Sequence, residues 1–320
     1  MKFDYIIGNP PYQLEDGGAG ASATPIYNKF IDEMKRLDPA VMSLIIPAKW
    51  YSGGKGLDQF RKEMLDDSHI RRLVDYTNSL DVFPDADIAG GVCVFVRDKS
   101  YEGDCDYSNT HNGVTTRCRR KLNMFDTFIR YPLAESIVKK VTSREEPRLS
   151  NVVSSRKPFG LATTVRPSQD GDLTLRYNQG TGPFRSQDVP AGQNMINQWK
   201  IIISYLSAEH AGQPDKNGQF RILSTTEKLP PKAICTETYL VAGAFDTEEE
   251  ADNYMAYLKT KFVRFLLAQL VVTQHISKAS FVFVPTQDFT KRWTDKELFE
   301  KYQLTDEEIA FITSMIKEMN

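Results

Sequence analysis

Four residues near the start of the chain carry the clearest chemistry. Asn9-Pro10-Pro11-Tyr12 follows the apolar run 3–7. Proline has no N–H for a strand ladder, so a strand over 3–7 must stop there and leave an amide and a phenol at its tip. The Asn9 side chain offers a carbonyl acceptor. The Pro10 carbonyl is a second acceptor, held rigid because two successive prolines fix φ on both sides of it. Two such acceptors can bind both hydrogens of an exocyclic –NH2 and draw its lone pair out of conjugation. Tyr12 supplies a flat face for a planar ring. The set suits methyl transfer to an amide-like or aromatic amine, with the methyl arriving in line from a sulfonium, and needs no metal. The alternative is a strand-terminating turn with a partly buried tyrosine.

A tip of this kind must be held by a sheet, and the first hundred residues alternate strand and helix. Strands are expected at 3–7, 41–46, 70–76 and 92–96. Thr24-Pro25 has the form of N-cap plus first helical residue. Ile26, Tyr27, Phe30, Met34 and Leu37 then fall at helical spacing, and Leu57, Phe60, Met64 and Leu65 mark a second helix over 56–67. Two strand–helix–strand units predict an α/β fold, with a mostly parallel sheet and helices on its faces. The glycine-rich stretch 16–23 lacks the spacing of a phosphate cradle and reads as a flexible flap beside the tip.

The texture changes after residue 100. Asn112-Gly113 is the strongest hairpin signal, and a tight turn there pairs 107 with 118 and leaves Cys105 diagonal to Cys118. With His111 these make too few donors for a convincing zinc site, so no metal is expected. A connecting helix is expected over 126–141, then an irregular stretch to about 245. Thr247 with Glu250, Thr294 with Glu297 and Thr305 with Glu308 have the capping-box pattern, the first opening a helix expected to reach about 271. The expected division is 1–100, 101–145 and 146–320. Glu33-Met34-Lys35 has the letters of a nuclease motif but falls on a helix, where it reads as a solvated face.

Composition bounds the class. The 320 residues are 41 % hydrophobic and 26 % charged. No run of about 18 apolar residues exists, so no membrane span is expected. Asp4, Asn9 and two prolines interrupt any secretory core, and Cys93, Cys105, Cys118 and Cys235 form no CxxC pairs, as in a reduced, cytoplasmic protein. At a formal net charge of −2, a nucleic-acid surface has to be a local patch.

A tetrapeptide alone recurs by chance in roughly one of 500 chains of this length, so the context decides. FDYIIGNPPY resembles motif IV of the N6-adenine DNA methyltransferases. TPIYNKFIDEMKRL, VMSLIIPAKWY, DQFRKEML and VFPDADIAGGVCVFV resemble the family's next motifs, in the family's order, over residues 3 to about 97. KAICTETYLV and FVFVPTQDF resemble, more loosely, the recognition region of restriction–modification methylases, especially those joined to an endonuclease. The resemblance implies S-adenosylmethionine as methyl donor. It implies catalytic roles for Asn9, Pro10, Pro11 and Tyr12, with Ile26 and Phe30 lining the cofactor's adenine pocket and Phe83 walling the pocket of an extruded base.

The family's glycine-rich cofactor half should precede Asn9, and only eight residues do. The expectation is therefore the second half of a Rossmann-like methyltransferase sheet, followed by an α+β target-recognition domain over 146–320. The chain would be a C-terminal fragment or split half, with an exposed apolar edge at 3–7 where the cofactor half docks. Duplex DNA is the expected partner, because a paired adenine must be flipped out to reach a strand tip. Arg148, Arg156, Lys157, Arg166, Arg176 and Arg185 recur after the catalytic region. The loops 208–218 and 273–278 offer Lys216, Asn217, Gln274, His275 and Lys278 to bases or phosphates. Two alternatives stay open: a methyltransferase acting on a protein glutamine or on RNA, and a non-catalytic DNA-specificity or partner subunit.

Overall fold

A computed structural model describes residues 3–14, 24–53, 56–111, 113–209, 214–215, 217–271 and 274–319. The expected flap at 16–23, Asn112 of the expected turn and Lys216 lie outside the described residues. The chain forms two compact units, Met1–Glu135 and Ser136–Asn320.

In the first unit β1 (Tyr5–Gly8) leads through α1 (Tyr27–Arg36) to β2 (Val41–Pro47), and β2 leads through α2 (Asp58–Asp66) to β3 (Ile70–Tyr76). Then come β4 (Val92–Asp98), β5 (Cys105–His111) and β6 (Val114–Arg120). The sheet order is β1-β2-β4-β3-β5-β6. β1, β2, β3 and β5 run one way, β4 lies antiparallel between β2 and β3, and β6 runs against β5. The sheet is therefore mixed. β4 follows β3 through a loop, and neighbouring antiparallel strands need no crossover helix. The hairpin extends this sheet and does not stand apart as a connector: Tyr107 pairs with Cys118, and Cys105 faces Arg120.

The first helix begins later than Thr24-Pro25 suggests. Ile26 is the N-cap of α1 and makes no side-chain cap bond. Pro25 is instead bridged to Gln13, the Leu14 N–H donates to the Thr24 carbonyl at 3.2 Å, and the Ile26 N–H donates to the Tyr12 carbonyl at 3.1 Å. This short ladder pairs 24–26 with residues 12–14 and ties the start of α1 to the residues just past the tip.

Burial alternates along β2, so that Met42, Leu44 and Ile46 face inward. They join Tyr27 and Ile31 of α1, Phe60 and Met64 of α2, Leu73 and Phe95 in one core. Both helices thus share one face, where the sequence pattern pointed to helices on both. The register of Tyr5 beside Val41 and Ile7 beside Ser43 sets Tyr5 and Ile7 on the opposite face, where they are 70 % and 83 % exposed. Parallel strands are normally covered on both faces. At β1 this sheet is bare on one face, and its outer edge is unpaired among the described residues.

α3 (Pro132–Thr142) spans the unit boundary, so the connecting helix is shorter than 126–141. The second unit continues with β7 (Leu173–Tyr177), β8 (Gly180–Phe184), β9 (Trp199–Ser204), β10 (Thr226–Leu229), β11 (Ala233–Cys235) and β12 (Tyr239–Phe245). These make two three-stranded sheets, β10-β9-β12 and β11-β7-β8. Ile202 and Val241 from the first, with Leu175, Phe184 and Ile234 from the second, belong to one core. α4 (Glu248–Lys259), α5 (Lys261–Ala268), α6 (Asp295–Lys301) and α7 (Asp306–Met315) complete the unit. The expected single helix to 271 is broken at Thr260. Its backbone is extended (φ −59°, ψ 150°), and its hydroxyl accepts the Val263 N–H to start α5 afresh. Thr294 and Thr305 make reciprocal capping boxes with Glu297 and Glu308.

Among the described residues no helix is long and apolar enough to cross a membrane. Among the same residues no group of three or more His, Cys, Asp or Glu side chains could hold a metal ion.

Candidate active site at the tip of the sheet

The register brings five chain segments to one end of the first sheet. Gly8 lies beside Leu44, Pro47 beside Val92, and Tyr76 between Val92 and Thr110. The parallel strands β1, β2, β3 and β5 all end there, and β4 begins there. In open α/β sheets this carboxyl end is where ligands bind.

Asn9 is the first residue past β1 and is exposed, whereas Pro10 behind it is buried and Pro11 is exposed. The amide is therefore presented to solvent on a fixed base. Tyr12 is half-buried. Burial pushes its pKa up to about 12, the nearby Cys93 thiol adds to this, and the Asn9 side chain pulls the other way. Its hydroxyl is buried and makes no hydrogen bond of normal geometry. The phenol thus stays neutral, with the Asn9 amide beside it.

Ile26 and Phe30 lie one helical turn apart, and the Phe30 N–H donates to the Ile26 carbonyl at 3.3 Å. α1 buries Tyr27 and Ile31 completely, but Phe30 is 40 % exposed. Ile26 and Phe30 therefore leave the core face to their neighbours. An apolar residue and a partly exposed aromatic ring on one helix side are suited to wall a planar, uncharged ring.

Phe83 rides on a pinned loop. Ser79 is fully buried; it accepts the Ile88 N–H at 2.7 Å and donates to the Ala86 carbonyl at 2.9 Å. Asn78 caps the short turn by accepting the Leu80 N–H. Phe83 is half-buried between these ties. The loop then passes so close to the end of β3 that a Cβ on Gly91 would lie 2.1 Å from the Tyr76 carbonyl oxygen. With φ at +79°, only glycine fits.

Behind the tip sits a polar cluster that sequence reasoning missed. Asp75 on β3 is fully buried, yet it accepts from Asn109 at 2.6 Å, from the Tyr107 hydroxyl at 3.1 Å and from Arg130 at 3.1 Å. Burial raises the Asp75 pKa, and Arg130, Asn109 and Tyr107 oppose the rise. The Arg130 guanidinium also donates to the Gly90 carbonyl and lies 5.1 Å from the Tyr51 ring. One ion pair thus braces the turn into β4 and the segment after β2. The signal was an acid among the apolar residues of β3, which pays for burial only when partners satisfy it. His111, at the end of β5, meets the Thr77 hydroxyl at 3.0 Å; burial and the Arg130 charge lower its pKa, against the pull of Asp75 and Asp81.

The expected DNA-contacting residues lie in the second unit. Gln274 and His275 are exposed, and their segment is tied to 205–207: the Ser207 N–H donates to the Gln274 carbonyl at 2.8 Å, and Leu206 is bridged to His275. Lys278 is exposed at the start of a single 3₁₀ turn. Asn217 belongs to a different turn, where its N–H donates to Asp215 at 2.9 Å and Asp215 pairs with Lys317 at 3.2 Å.

Residues 1–83 match the family model described as Eco57I restriction-modification methylase, a span that includes Asn9–Tyr12, Ile26, Phe30 and Phe83. A curated relative from Mycoplasma pneumoniae, described as an uncharacterized adenine-specific methylase, is 37 % identical over 106 residues. Those residues are 32 % of this chain and 25 % of the relative, so the match spans about a quarter of the relative's length. Among solved structures, the type IIL restriction-modification enzyme MmeI in complex with DNA aligns over 87 % of this chain and 46 % of its own, at 8 % identity and a TM-score of 0.46. The type I methyltransferase subunit from Streptococcus thermophilus aligns over 37 % and 29 %, at 17 % identity and a TM-score of 0.27.

Proposed function

We propose that this chain is the base-handling part of a cytoplasmic restriction–modification enzyme that methylates adenine N6 in duplex DNA. The observation that carries the reading is the exposed Asn9 amide on the buried Pro10, beside the neutral Tyr12 ring, inside the span matched by the methylase family model. Asn9 and the Pro10 carbonyl accept the two amino hydrogens of a flipped adenine. Tyr12 stacks on its ring, and Phe83 walls the pocket. S-adenosylmethionine supplies the methyl group as a sulfonium. Ile26 and Phe30 face its adenine. Residues 136–320 hold and read the duplex.

The bare face of β1 supports one more element of the reading. Tyr5 and Ile7, 70 % and 83 % exposed, form an apolar surface next to a strand edge that is unpaired among the described residues. A cofactor-binding half supplied from outside residues 1–320 docks there and extends a Rossmann-like sheet.

The test uses the chain with and without a candidate cofactor-binding half, S-adenosylmethionine labelled in its methyl group, and duplex DNA. The expected product is N6-methyladenine, formed only when both parts are present. Asn9→Ala lowers transfer by about 10²–10³, the usual scale for losing one polar group that acts on the reacting atoms, and leaves duplex binding within about twofold. Undiminished transfer by Asn9→Ala overturns the catalytic assignment. Label on RNA or on a protein glutamine overturns the substrate. Micromolar binding of S-adenosylmethionine to this chain alone overturns the docking half.

A further inference from the structure

Separate stretches of the second unit meet around one carboxylate. Glu237, 9 % exposed, accepts the Thr163 N–H at 3.2 Å, and its other oxygen faces Arg156 Nε at 3.3 Å and Lys157 Nζ at 3.6 Å. The Arg156 guanidinium also lies 4.7 Å from the centroid of the Tyr205 ring. Tyr205 packs in turn against the His275 ring, 4.6 Å between centroids and tilted by 36°. The Tyr205 ring thus touches both the guanidinium and the imidazole. A backbone bond ties the two ring-bearing segments together, since the Ile276 N–H donates to the Tyr205 carbonyl at 2.9 Å. The Arg156 side chain is nevertheless 54 % exposed.

An exposed arginine–carboxylate pair contributes little to stability by itself. Here it sets geometry. A free arginine loses much rotamer freedom when it binds, and a guanidinium already stacked and braced has lost that freedom in advance. With Nε turned towards Glu237 in an ion pair, the guanidinium still carries two Nη groups that can act as a donor fork. On duplex DNA such a fork meets either a phosphate or the O6/N7 edge of guanine. Glu237 favours the second. Its charge cancels much of the attraction to phosphate, which depends on net charge and counterion release. The direction of the N–H groups, which guanine recognition depends on, is kept. Lys157 on the same carboxylate is a point charge without a fixed plane and lacks the fork that guanine recognition needs.

We propose that Arg156, stacked on Tyr205 and braced by Glu237, reads a guanine in the major groove of duplex DNA. The proposal rests on the reading of duplex DNA as the partner.

The experiment selects from a random-sequence duplex library with the 320-residue chain and its variants, with thermal melting as a folding control. The wild type is expected to enrich a consensus. Arg156→Ala should lose about 10- to 100-fold of preference at a single G·C position and leave the other positions in place, which is the scale of one bidentate base contact. Arg156→Lys should lose it as well, because an ammonium cannot form the fork. Glu237→Gln should relax the same position less. A consensus unchanged by Arg156→Ala overturns the assignment while the DNA reading stands. So does uniform weakening across all sequences with a salt slope shallower by about one, the mark of a phosphate contact. Absence of duplex binding by the wild type overturns the underlying reading itself.

Discussion

At the tip of the first sheet the groups that would clamp an amine are consecutive residues, 9–12, whereas around Glu237 they come from 156–157, 163, 205, 237 and 275. The tip needs only a strand that stops, and two prolines stop it. The Glu237 cluster needs several segments in register. The difference has a cost, because a contiguous device still stands on something. The tip stands on Asp75 and Arg130, whose partners come from β5 and from the turn before β4. Chemistry can be local while its support is global.

The largest effect should therefore come from the support. Asp75→Ala leaves Arg130 buried without its carboxylate and is expected to cost about 3–5 kcal/mol of unfolding free energy, read from urea melts. A loss under about 1 kcal/mol would mean that the tip is self-supporting. Asn9→Ala comes next on the same scale, with its 10²–10³ loss in transfer, but with an unchanged melt, because the side chain is exposed. Tyr12 separates ring from hydroxyl. Tyr12→Ala should weaken transfer by about 10- to 100-fold, as expected for one base–aromatic stack. Tyr12→Phe should stay within a few-fold, because the hydroxyl makes no hydrogen bond of normal geometry. A Phe variant as poor as the Ala variant would give the hydroxyl a role of its own.

The smallest effect concerns pH. Burial raises the Asp67 pKa, but the hydrogen bond and charge of Arg97, 2.9 Å away, and of Lys35, 3.2 Å away, outweigh it and hold the carboxyl below its ordinary value. The folded state thus binds the proton less readily than the unfolded chain. The stabilisation is full above the unfolded carboxylate value of about 3.9 and is lost as pH falls through the lower folded value. Asp67→Asn should cost about 1 kcal/mol at pH 7, and the gap between the two unfolding curves should start to narrow below about pH 4 and close once pH is under the lower folded value. A gap that persists in acid would assign the cost to packing.

Much of the first unit was legible from local pattern. β3 occupies Ile70–Tyr76 as expected, and Tyr107 pairs with Cys118 as the Asn-Gly turn requires. The misses share a cause. Thr24-Pro25 has good capping chemistry, yet backbone pairing with residues 12–14 outcompeted it. The helix from Thr247 has no proline or glycine to stop it at 260, and Thr260 ends it by capping its successor. Arg156 was visible as one basic residue among many, but nothing in its neighbourhood announces Tyr205 or Glu237.

The sequence by itself determined where the first strand ends and which acceptors stand at its tip. A missing N–H and a fixed φ belong to the residues that carry them and need no partner. Only the tertiary structure decided that β4 slots between β2 and β3, that α1 and α2 share one face and leave Tyr5 and Ile7 bare, and that Tyr205 touches both Arg156 and His275. Those outcomes depend on pairing and packing between residues far apart in the chain, where each local segment is compatible with several partners and the shared core selects one.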